Sequence, residues 1–310
     1  MSTLNIAAYG EGIMYVPTLQ TNMAAIQSAG WTSVILGLFH IGSTGDIGFN
    51  DTAIVSGGSY VGDKSWPGQL TQLLAPGNGN TIQTLLASVG GGGVSDFSNV
   101  QSIYQGNGNS FAGTALETNF QAFFKTFPAI TLIDMDVEDN YDQPSFVAFC
   151  QMLAGIGYGI TFCPYATWET SFWTGSLQAL NTSNPGAVKW WNLQCYDGGN
   201  GNDPGEWAKE ITAAIPGFDT TGFILAGDWS RYLDKPKSGP ATWYWNGDCP
   251  PAMQALMAGY KGEPSVGGGF VWTLDQIIGY AASQQQKPDP APCGSVDMAS
   301  YVQAISNGLG

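Results

Sequence analysis

The sequence predicts a (β/α)₈ barrel, an α/β fold in which residues 1–310 form one catalytic domain. Eight short apolar runs rich in β-branched and aromatic residues recur along the chain, with helical or loop segments between them. Such near-continuous apolar strands are typical of a parallel sheet covered by helices. Eight units in 310 residues favour a closed barrel over an open doubly wound sheet. No G-x-G-x-x-G follows the first strand, which disfavours a dinucleotide-binding fold.

The predicted elements follow one another in βα order. Strands are predicted at 5–10, 33–41, 84–91, 132–138, 159–165, 190–196, 222–228 and 269–275. Helices are predicted at 19–28, 115–126, 144–154, 205–214, 251–259 and 296–306. Gly- and Asn-rich pieces adjoin the strands and are predicted as long loops around a barrel mouth, at 42–64, 76–80, 105–110 and 197–203.

The composition excludes several classes of protein. Charged residues make up 11% of the chain and hydrophobic residues 44%, a combination that disordered chains do not have. With 24 acids, 9 bases and a net charge of −15, neither nucleic acid nor an anionic membrane is an expected partner. No stretch approaches the roughly 18 apolar residues of a membrane span. We therefore expect a globular protein, most simply a monomer.

The cysteines leave the cellular compartment open. Five cysteines are too few for a disulfide scaffold, and their spacing matches no zinc motif. Cys150, Cys163 and Cys195 lie in apolar segments and are predicted to be small buried side chains. Cys249 and Cys293 lie in Pro-rich loops, which accommodate either one disulfide or two free thiols. No signal peptide is visible at the start of the chain.

The fourth predicted strand carries the strongest chemical signal. In its sequence ITLIDMDVEDN, Asp134, Asp136 and Glu138 follow one another at a spacing of two. Because residues two apart on a strand share a face, all three acids point into the barrel. Glu138 comes last, at the rim where barrel enzymes keep their active sites.

Three neighbouring carboxyl groups predict acid catalysis. Burying them without cations favours a coupled set that keeps at least one proton at neutral pH, and a protonated carboxyl at a cleft can act as a general acid. Two alternatives remain: an exposed acidic strand end, and an oxygen-ligand metal site. The backbone spacing of roughly 6.6 Å lies between the carboxyl distances of retaining and inverting glycosidases, so it does not predict the stereochemistry.

Four motifs resemble glycoside hydrolase family 18, the chitinase family. Residues 134–138 resemble the end of its D-x-x-D-x-D-x-E signature, and residues 88–91 (SVGG) its S-x-G-G element. Residues 194–197 (QCYD) resemble Q-x-Y-[ND], and Trp272 matches the tryptophan that floors the sugar site. The motifs fall on strands three, four, six and eight in the family's order. One departure is that Thr131 and Leu132 replace the signature's first Asp and its Gly.

The resemblance implies a retaining chitinase that cleaves β-1,4-linked N-acetylglucosamine polymers by substrate-assisted catalysis, with no metal or cofactor. Glu138 would protonate the glycosidic oxygen, and Asp136 would orient the substrate acetamido group. Asp134 would share the proton of Asp136, and Tyr196 would hydrogen-bond the acetamido oxygen. The implied substrate-binding residues are Gln194, Asp197, Trp272, Tyr9, Ser88 and Gly90. An extracellular location is expected, since chitin or its oligosaccharides would be the partner.

Alternatives and secondary candidates remain. The same chemistry could serve an endo-β-N-acetylglucosaminidase on N-glycans, and a barrel of this family could also be a non-catalytic lectin, although these usually lack the acid. His40 is predicted to have a hydrogen-bonded structural role and Asp228 to contact substrate. Four further tryptophans are candidates to line the cleft: Trp168, Trp229, Trp243 and Trp245.

Overall fold

A computed structural model describes residues 4–165, 167–199, 201–234, 243–294 and 296–310. Eight parallel strands form a barrel in which each strand pairs with the next and the last pairs with the first. They are β1 (Asn5–Gly10), β2 (Ser33–Ile41), β3 (Thr84–Gly90), β4 (Ile130–Asp136), β5 (Gly159–Phe162), β6 (Val188–Gln194), β7 (Ile224–Trp229) and β8 (Val266–Trp272). The prediction of a (β/α)₈ barrel is confirmed. The assignment of all 310 residues to one domain stays a prediction.

Helices cover the outside of the barrel. They are α1 (Thr18–Ser28), α2 (Trp66–Leu73), α3 (Asp96–Gly106), α4 (Ala115–Thr126), α5 (Gln143–Ile156), α6 (Thr170–Ser183), α7 (Pro204–Ala214), α8 (Pro250–Gly259), α9 (Leu274–Gln286) and α10 (Met298–Leu309). All six predicted helices are present. Four further helices, α2, α3, α6 and α9, were not predicted from the sequence. α3 and α6 are rich in Ser, Asn, Thr and Gln, which favour turns and caps. α9 begins two residues after β8, where the strand was predicted to continue.

Two strand ends differ from the prediction in a way that shapes the site. β4 ends at Asp136 and β6 at Gln194, each two residues before the predicted end. Glu138 and Tyr196 therefore lie in the loops that follow these strands. Glu138 is half-buried at the mouth of the barrel, whereas Tyr196 is buried and packs against Phe270 of the barrel interior.

The core has two layers. The larger cluster fills the space between the strands and the helices, and a smaller cluster fills the barrel interior. The interior cluster contains Leu132, at the position of the signature's Gly, and Cys163. Each fully buried aliphatic or aromatic side chain contributes about 1.5–3 kcal/mol of burial free energy. The interior of the barrel is therefore a packed core and not an open channel.

The segment after β2 is not the loop that was predicted for 42–64. Three short antiparallel strands, Ile47–Phe49, Thr52–Ser56 and Ser59–Tyr60, extend the sheet outward from β2. Their buried side chains include Phe49, which packs against Trp66 of α2. Apolar residues between the Gly and Asn residues thus supplied a strand signal that the loop composition obscured.

A hairpin and a disulfide close the segment between β7 and α8. Tyr232–Asp234 pairs with Tyr244–Asn246, and Cys249 forms a disulfide with Cys293. Cys150, Cys163 and Cys195 are free and buried, as predicted. Within the described residues, no helix is long and apolar enough to cross a membrane.

Candidate active site

The acids of β4 lie at the carboxyl-end mouth of the barrel. Asp134 is 0% exposed and Asp136 4% exposed, whereas Glu138 is half-buried beside an open cleft of about 200 Å³. The cleft is lined by Leu38, Gly91, Gly92, Asp136, Glu138, Tyr165, Gln194, Tyr196, Asp197, Trp229, Tyr232 and Trp272. The exposure of the acids therefore increases from Asp134 to Glu138. None of the residues that line the cleft is a cation.

Asp134 is fixed from four different strands. One carboxylate oxygen accepts hydrogen bonds from the hydroxyls of Tyr9 and Ser88, both at 2.8 Å. The other accepts from the Thr161 hydroxyl at 2.6 Å and the Asn192 amide at 2.8 Å. Burial raises the pKa of Asp134, and these hydrogen bonds oppose that rise. With two donors on each oxygen, the Asp134 carboxylate is held in a fixed position at the bottom of the site.

Asp136 and Glu138 are joined through one amide group. Gln194 Nε2 donates to Asp136 Oδ1 at 2.9 Å and to Glu138 Oε1 at 3.2 Å. Burial, with the negative charges of Glu138 and Asp134, raises the pKa of Asp136 well above its usual value. Burial also raises the pKa of Glu138, and Asp197 adds to this effect. Because the pKa values of both acids are raised, the pair holds a proton to higher pH than a free carboxyl group would.

Glycines at the end of β3 and directly after it make room for these acids. Gly90 has φ +115°, and a Cβ there would lie 2.0 Å from the Asp136 carbonyl oxygen. A Cβ on Gly92 would lie 2.9 Å from Glu138 Oε2. Gly91 donates its backbone N–H to the Asp136 carbonyl at 2.8 Å. This wall of the cleft is therefore backbone, which lets a ligand approach Glu138 closely.

Aromatic rings form the opposite wall. Tyr196 and Trp229 are stacked with centroids 5.7 Å apart, and Tyr232 meets Trp229 edge-on at 5.7 Å. Trp272 packs on Tyr9 with centroids 5.3 Å apart. Flat apolar faces next to hydrogen-bonding groups suit the faces and hydroxyls of sugar rings.

The structure brings the predicted site residues together at two levels. Glu138, Asp136, Tyr196, Gln194, Asp197 and Trp272 line the cleft. Tyr9, Ser88 and Gly90 lie beneath it, where the two hydroxyls bind Asp134 and the glycine contacts the backbone of β4.

Several contributors were not singled out from the sequence. Thr161 and Asn192 bind Asp134, and Leu38, Tyr165 and Tyr232 line the cleft. Thr161 lies opposite Asp134 in the β4–β5 register. A polar residue at an inward-facing position of a neighbouring strand is the sequence signal that could have identified it. Tyr232 had no such signal, because its place depends on the antiparallel pairing of Tyr232–Asp234 with Tyr244–Asn246.

Asp228 does not contact the cleft, contrary to the prediction. It is 1% exposed, and its Oδ1 accepts the Trp229 backbone N–H at 2.9 Å. Burial and the nearby Asp248 raise the pKa of Asp228 to about 8. Its neighbours on β7, Leu225 and Trp229, pack in the barrel interior, so alternation turns Asp228 to the outer side.

The remaining candidate residues, His40 and four tryptophans, have different surroundings. His40 forms a 2.8 Å hydrogen bond with Asp96, in keeping with a structural role. Trp229 lines the cleft, and the other three candidate tryptophans are not among the lining residues: Trp168, Trp243 and Trp245. Across the described ranges, no group of three or more His, Cys, Asp or Glu side chains is arranged to hold a metal ion.

Comparison with known proteins agrees with this architecture. No protein-family model matches the sequence, and no curated protein matches it. Among solved structures, a GH18 chitinase from Pseudoalteromonas aurantia superposes with a TM-score of 0.61 at 13% identity, covering 98% of this chain and 100% of that one. The catalytic domain of a hyperthermophilic chitinase from Pyrococcus furiosus superposes with a TM-score of 0.61 at 11% identity, covering 100% and 97%.

A third match broadens the set. The spore cortex-lytic enzyme SleL of Bacillus megaterium superposes with a TM-score of 0.60 at 11% identity, covering 100% of this chain and 75% of that one. At these identities the likeness concerns the fold. The chain is therefore a (β/α)₈ barrel with an acidic, aromatic-lined cleft. More particularly, its fold is similar to that of solved chitinases, one of which is a GH18 enzyme.

Proposed function

We propose that the protein is a retaining glycoside hydrolase that cleaves β-1,4-linked N-acetylglucosamine polymers, a chitinase, without metal or cofactor. The observation that carries this proposal is the joined pair of Asp136 and Glu138 at the cleft. Their pKa values are both raised, and no cation lies among the lining residues. A carboxyl that keeps its proton beside an open cleft can protonate a leaving group. The fold shared with chitinases supports this class of reaction.

In the first step, Glu138 donates its proton to the glycosidic oxygen as the bond to the anomeric carbon breaks. The substrate's acetamido oxygen attacks that carbon and forms a cyclic oxazolinium ion. In this route the acetamido oxygen replaces a second carboxylate as the nucleophile. Asp136 accepts a hydrogen bond from the acetamido N–H and stabilises the positive charge. Tyr196 lines the cleft and donates its hydroxyl to the acetamido group.

In the second step, a water molecule attacks the anomeric carbon and Glu138, now ionised, takes its proton. The product keeps the β configuration, and Glu138 is protonated again for the next cycle. Gln194 orients both acids through its two short contacts. Trp272 supplies the apolar face for the sugar ring, and Asp197 contacts its hydroxyls.

We further propose that the enzyme acts outside the cell. The Cys249–Cys293 disulfide is compatible with an extracellular location, because cytosolic thiols are kept reduced. We also propose that the active form is a monomer.

The test is hydrolysis of N-acetylchitooligosaccharides followed by NMR from the first minutes of reaction. Initial release of the β-anomer is the expected result, and initial release of the α-anomer would contradict the retaining mechanism. Binding without cleavage would indicate a lectin instead. Cleavage of N-glycans together with inert chitooligosaccharides would replace the chitinase by an endo-β-N-acetylglucosaminidase.

A further inference from the structure

The inner face of β6 carries a row of side chains beside the acids of β4. Trp190, Asn192 and Gln194 lie two positions apart and therefore share one face of the strand. Gln194 binds the two acids nearer the cleft, and Asn192 Nδ2 donates a hydrogen bond to Asp134 Oδ1 at 2.8 Å. Below them, Trp190 Nε1 donates to Asn192 Oδ1 at 2.9 Å. A continuous chain of hydrogen bonds thus joins the most deeply buried acid to an indole further down the barrel.

Trp190 lies at the opposite end of the barrel from the cleft. It is half-buried and packs against the cluster in the barrel interior. It also lines a cavity of about 240 Å³ together with the first residues of β1, β2 and β3, which are Asn5, Ser33 and Thr84. An indole N–H at a polar cavity has water as an alternative partner, but this one is directed into the barrel. The indole therefore connects the far end of the barrel to the acid site.

The donor and acceptor chemistry of these groups fixes the orientation of the Asn192 amide. An indole N–H only donates a hydrogen bond, and an ionised carboxylate only accepts one. The amide must therefore turn its oxygen to Trp190 and its NH2 group to Asp134. Asn192 is 0% exposed, so without the indole N–H its oxygen would be buried and would lose the hydrogen bond that it accepts among the described residues. A hydrogen bond on the amide oxygen also strengthens donation by the NH2 group.

We propose that Trp190 is a positioning residue that holds Asn192 in the orientation that stabilises ionised Asp134, an inference that rests on the proposed function. Weaker donation by Asn192 favours the protonated form of Asp134. Because negative charge on the acids of β4 stabilises the positively charged intermediate, a proton gained by Asp134 lowers the rate. Within the described residues, the titratable groups that interact with Asp134 lie on β1, on β4 and directly after β5: Tyr9, Asp136 and Cys163.

The test is the pH dependence of kcat/KM for Trp190→Phe, which removes the indole N–H and keeps an aromatic ring in place. The acidic limb of the profile, where kcat/KM falls as the pH is lowered, should move to higher pH by about half a unit. This shift is a roughly threefold rise in proton affinity, as expected when one hydrogen bond in the network around a carboxylate is weakened. The rate at the pH optimum should change little.

Trp191→Phe is the matched control. Trp191 is the next residue of β6, is 0% exposed and packs in the outer layer of the core. Its Nε1 has no hydrogen-bond partner within the described part of the chain. The same substitution there removes an N–H that is not used, so the pH profile should stay in place. Equal shifts in both variants would overturn the proposal, because packing around β6 would then determine the acidic limb.

A second comparison tests whether Trp190 acts through Asn192. In an Asn192→Leu background, Trp190→Phe should move the acidic limb no further, and an undiminished second shift would contradict this route. A ¹³C NMR titration of the Asp134 carboxyl measures the same change without turnover. A wild-type protein that cleaves no sugar would overturn the proposed function. An Asp134 titration that is identical in wild type and Trp190→Phe would overturn the role of Trp190.

Discussion

β4 and β7 both carry deeply buried acids, and the two strands use them differently. Asp134 on β4 is 0% exposed and has two donors on each oxygen. Asp228 on β7 is 1% exposed, yet its Oδ2 has no hydrogen-bond partner within the described part of the chain. Burial is nearly equal, so the difference comes from which side of the strand each acid occupies. Inward positions meet the polar groups of neighbouring strands, and outward positions meet the apolar layer under the helices.

Glu138→Gln should have the largest effect, because it replaces the most accessible of the three acids on and directly after β4. The amide cannot donate the required proton, so we expect a fall in kcat of about 10²- to 10⁴-fold. Binding of chitooligosaccharides should stay within a few-fold of wild type. Steady-state kinetics and calorimetric titration measure the two quantities.

The control for this substitution is Glu11→Gln. Glu11 follows β1 at the same mouth, and burial and Asp275 raise its pKa to about 7, but it does not line the cleft. Its variant should keep near wild-type turnover. Equal losses in both variants would show that any buried acid at this mouth affects the rate, and Glu138 would lose its assigned role.

Asp134→Asn should destabilise the fold. The NH2 group of the asparagine would face two hydrogen-bond donors, and the other two donors would bind a neutral oxygen. We expect these changes to cost about 3 kcal/mol of unfolding free energy. Urea denaturation measures the change. A variant as stable as wild type would mean that the four hydrogen bonds do not hold Asp134 as described.

Asp228→Asn should act in the opposite direction. The folded pKa of about 8 exceeds the unfolded value of about 3.9, so the contribution of Asp228 to stability is greatest at low pH and falls as the pH rises between these values. The amide removes this loss and keeps the acceptor for Trp229. We expect a gain of several kcal/mol at pH 8 and little change at pH 4. A loss of stability at pH 8, relative to wild type, would contradict the assignment.

Gly92→Ala should have the smallest effect and test the backbone wall beside Glu138. The new Cβ would lie 2.9 Å from Glu138 Oε2, so the acid must move. We expect about a tenfold fall in kcat/KM with unchanged melting temperature, the loss that corresponds to about 1.4 kcal/mol. Gly106→Ala on α3, where a Cβ meets nothing within 4 Å, is the control. Equal rates in the two variants would show that Glu138 tolerates the crowding.

The β4 side of this comparison was predictable and the β7 side was not. Asp134, Asp136 and Glu138 alternate with apolar residues, so their shared face follows from strand geometry alone. Asp228 stands at the end of an equally apolar strand, GFILAGD, where the Ala and Gly residues leave the two faces indistinguishable. Its orientation depends on how Trp229 packs against Tyr196, a contact between residues 33 positions apart.

The same limit explains the donors around Asp134. Ser88 and Tyr9 were named because their strand ends carry recognisable motifs or aromatic residues. Thr161 and Asn192 lie within apolar strands, and only the register of β4 with β5 and the closure of the barrel bring them to one carboxylate. Sequence periodicity predicts which face a residue occupies, whereas pairing register decides what it meets there.

The most direct test of Glu138 as the proton donor varies the leaving group. Wild type and Glu138→Gln would be compared on a chitooligosaccharide and on the matching dinitrophenyl glycoside, whose leaving group departs without protonation. If Glu138 delivers the proton, the wild-type to variant ratio of kcat/KM should fall from about 10³ on the sugar to about 10 on the dinitrophenyl substrate. An equal ratio on both substrates would contradict a proton-donating role for Glu138.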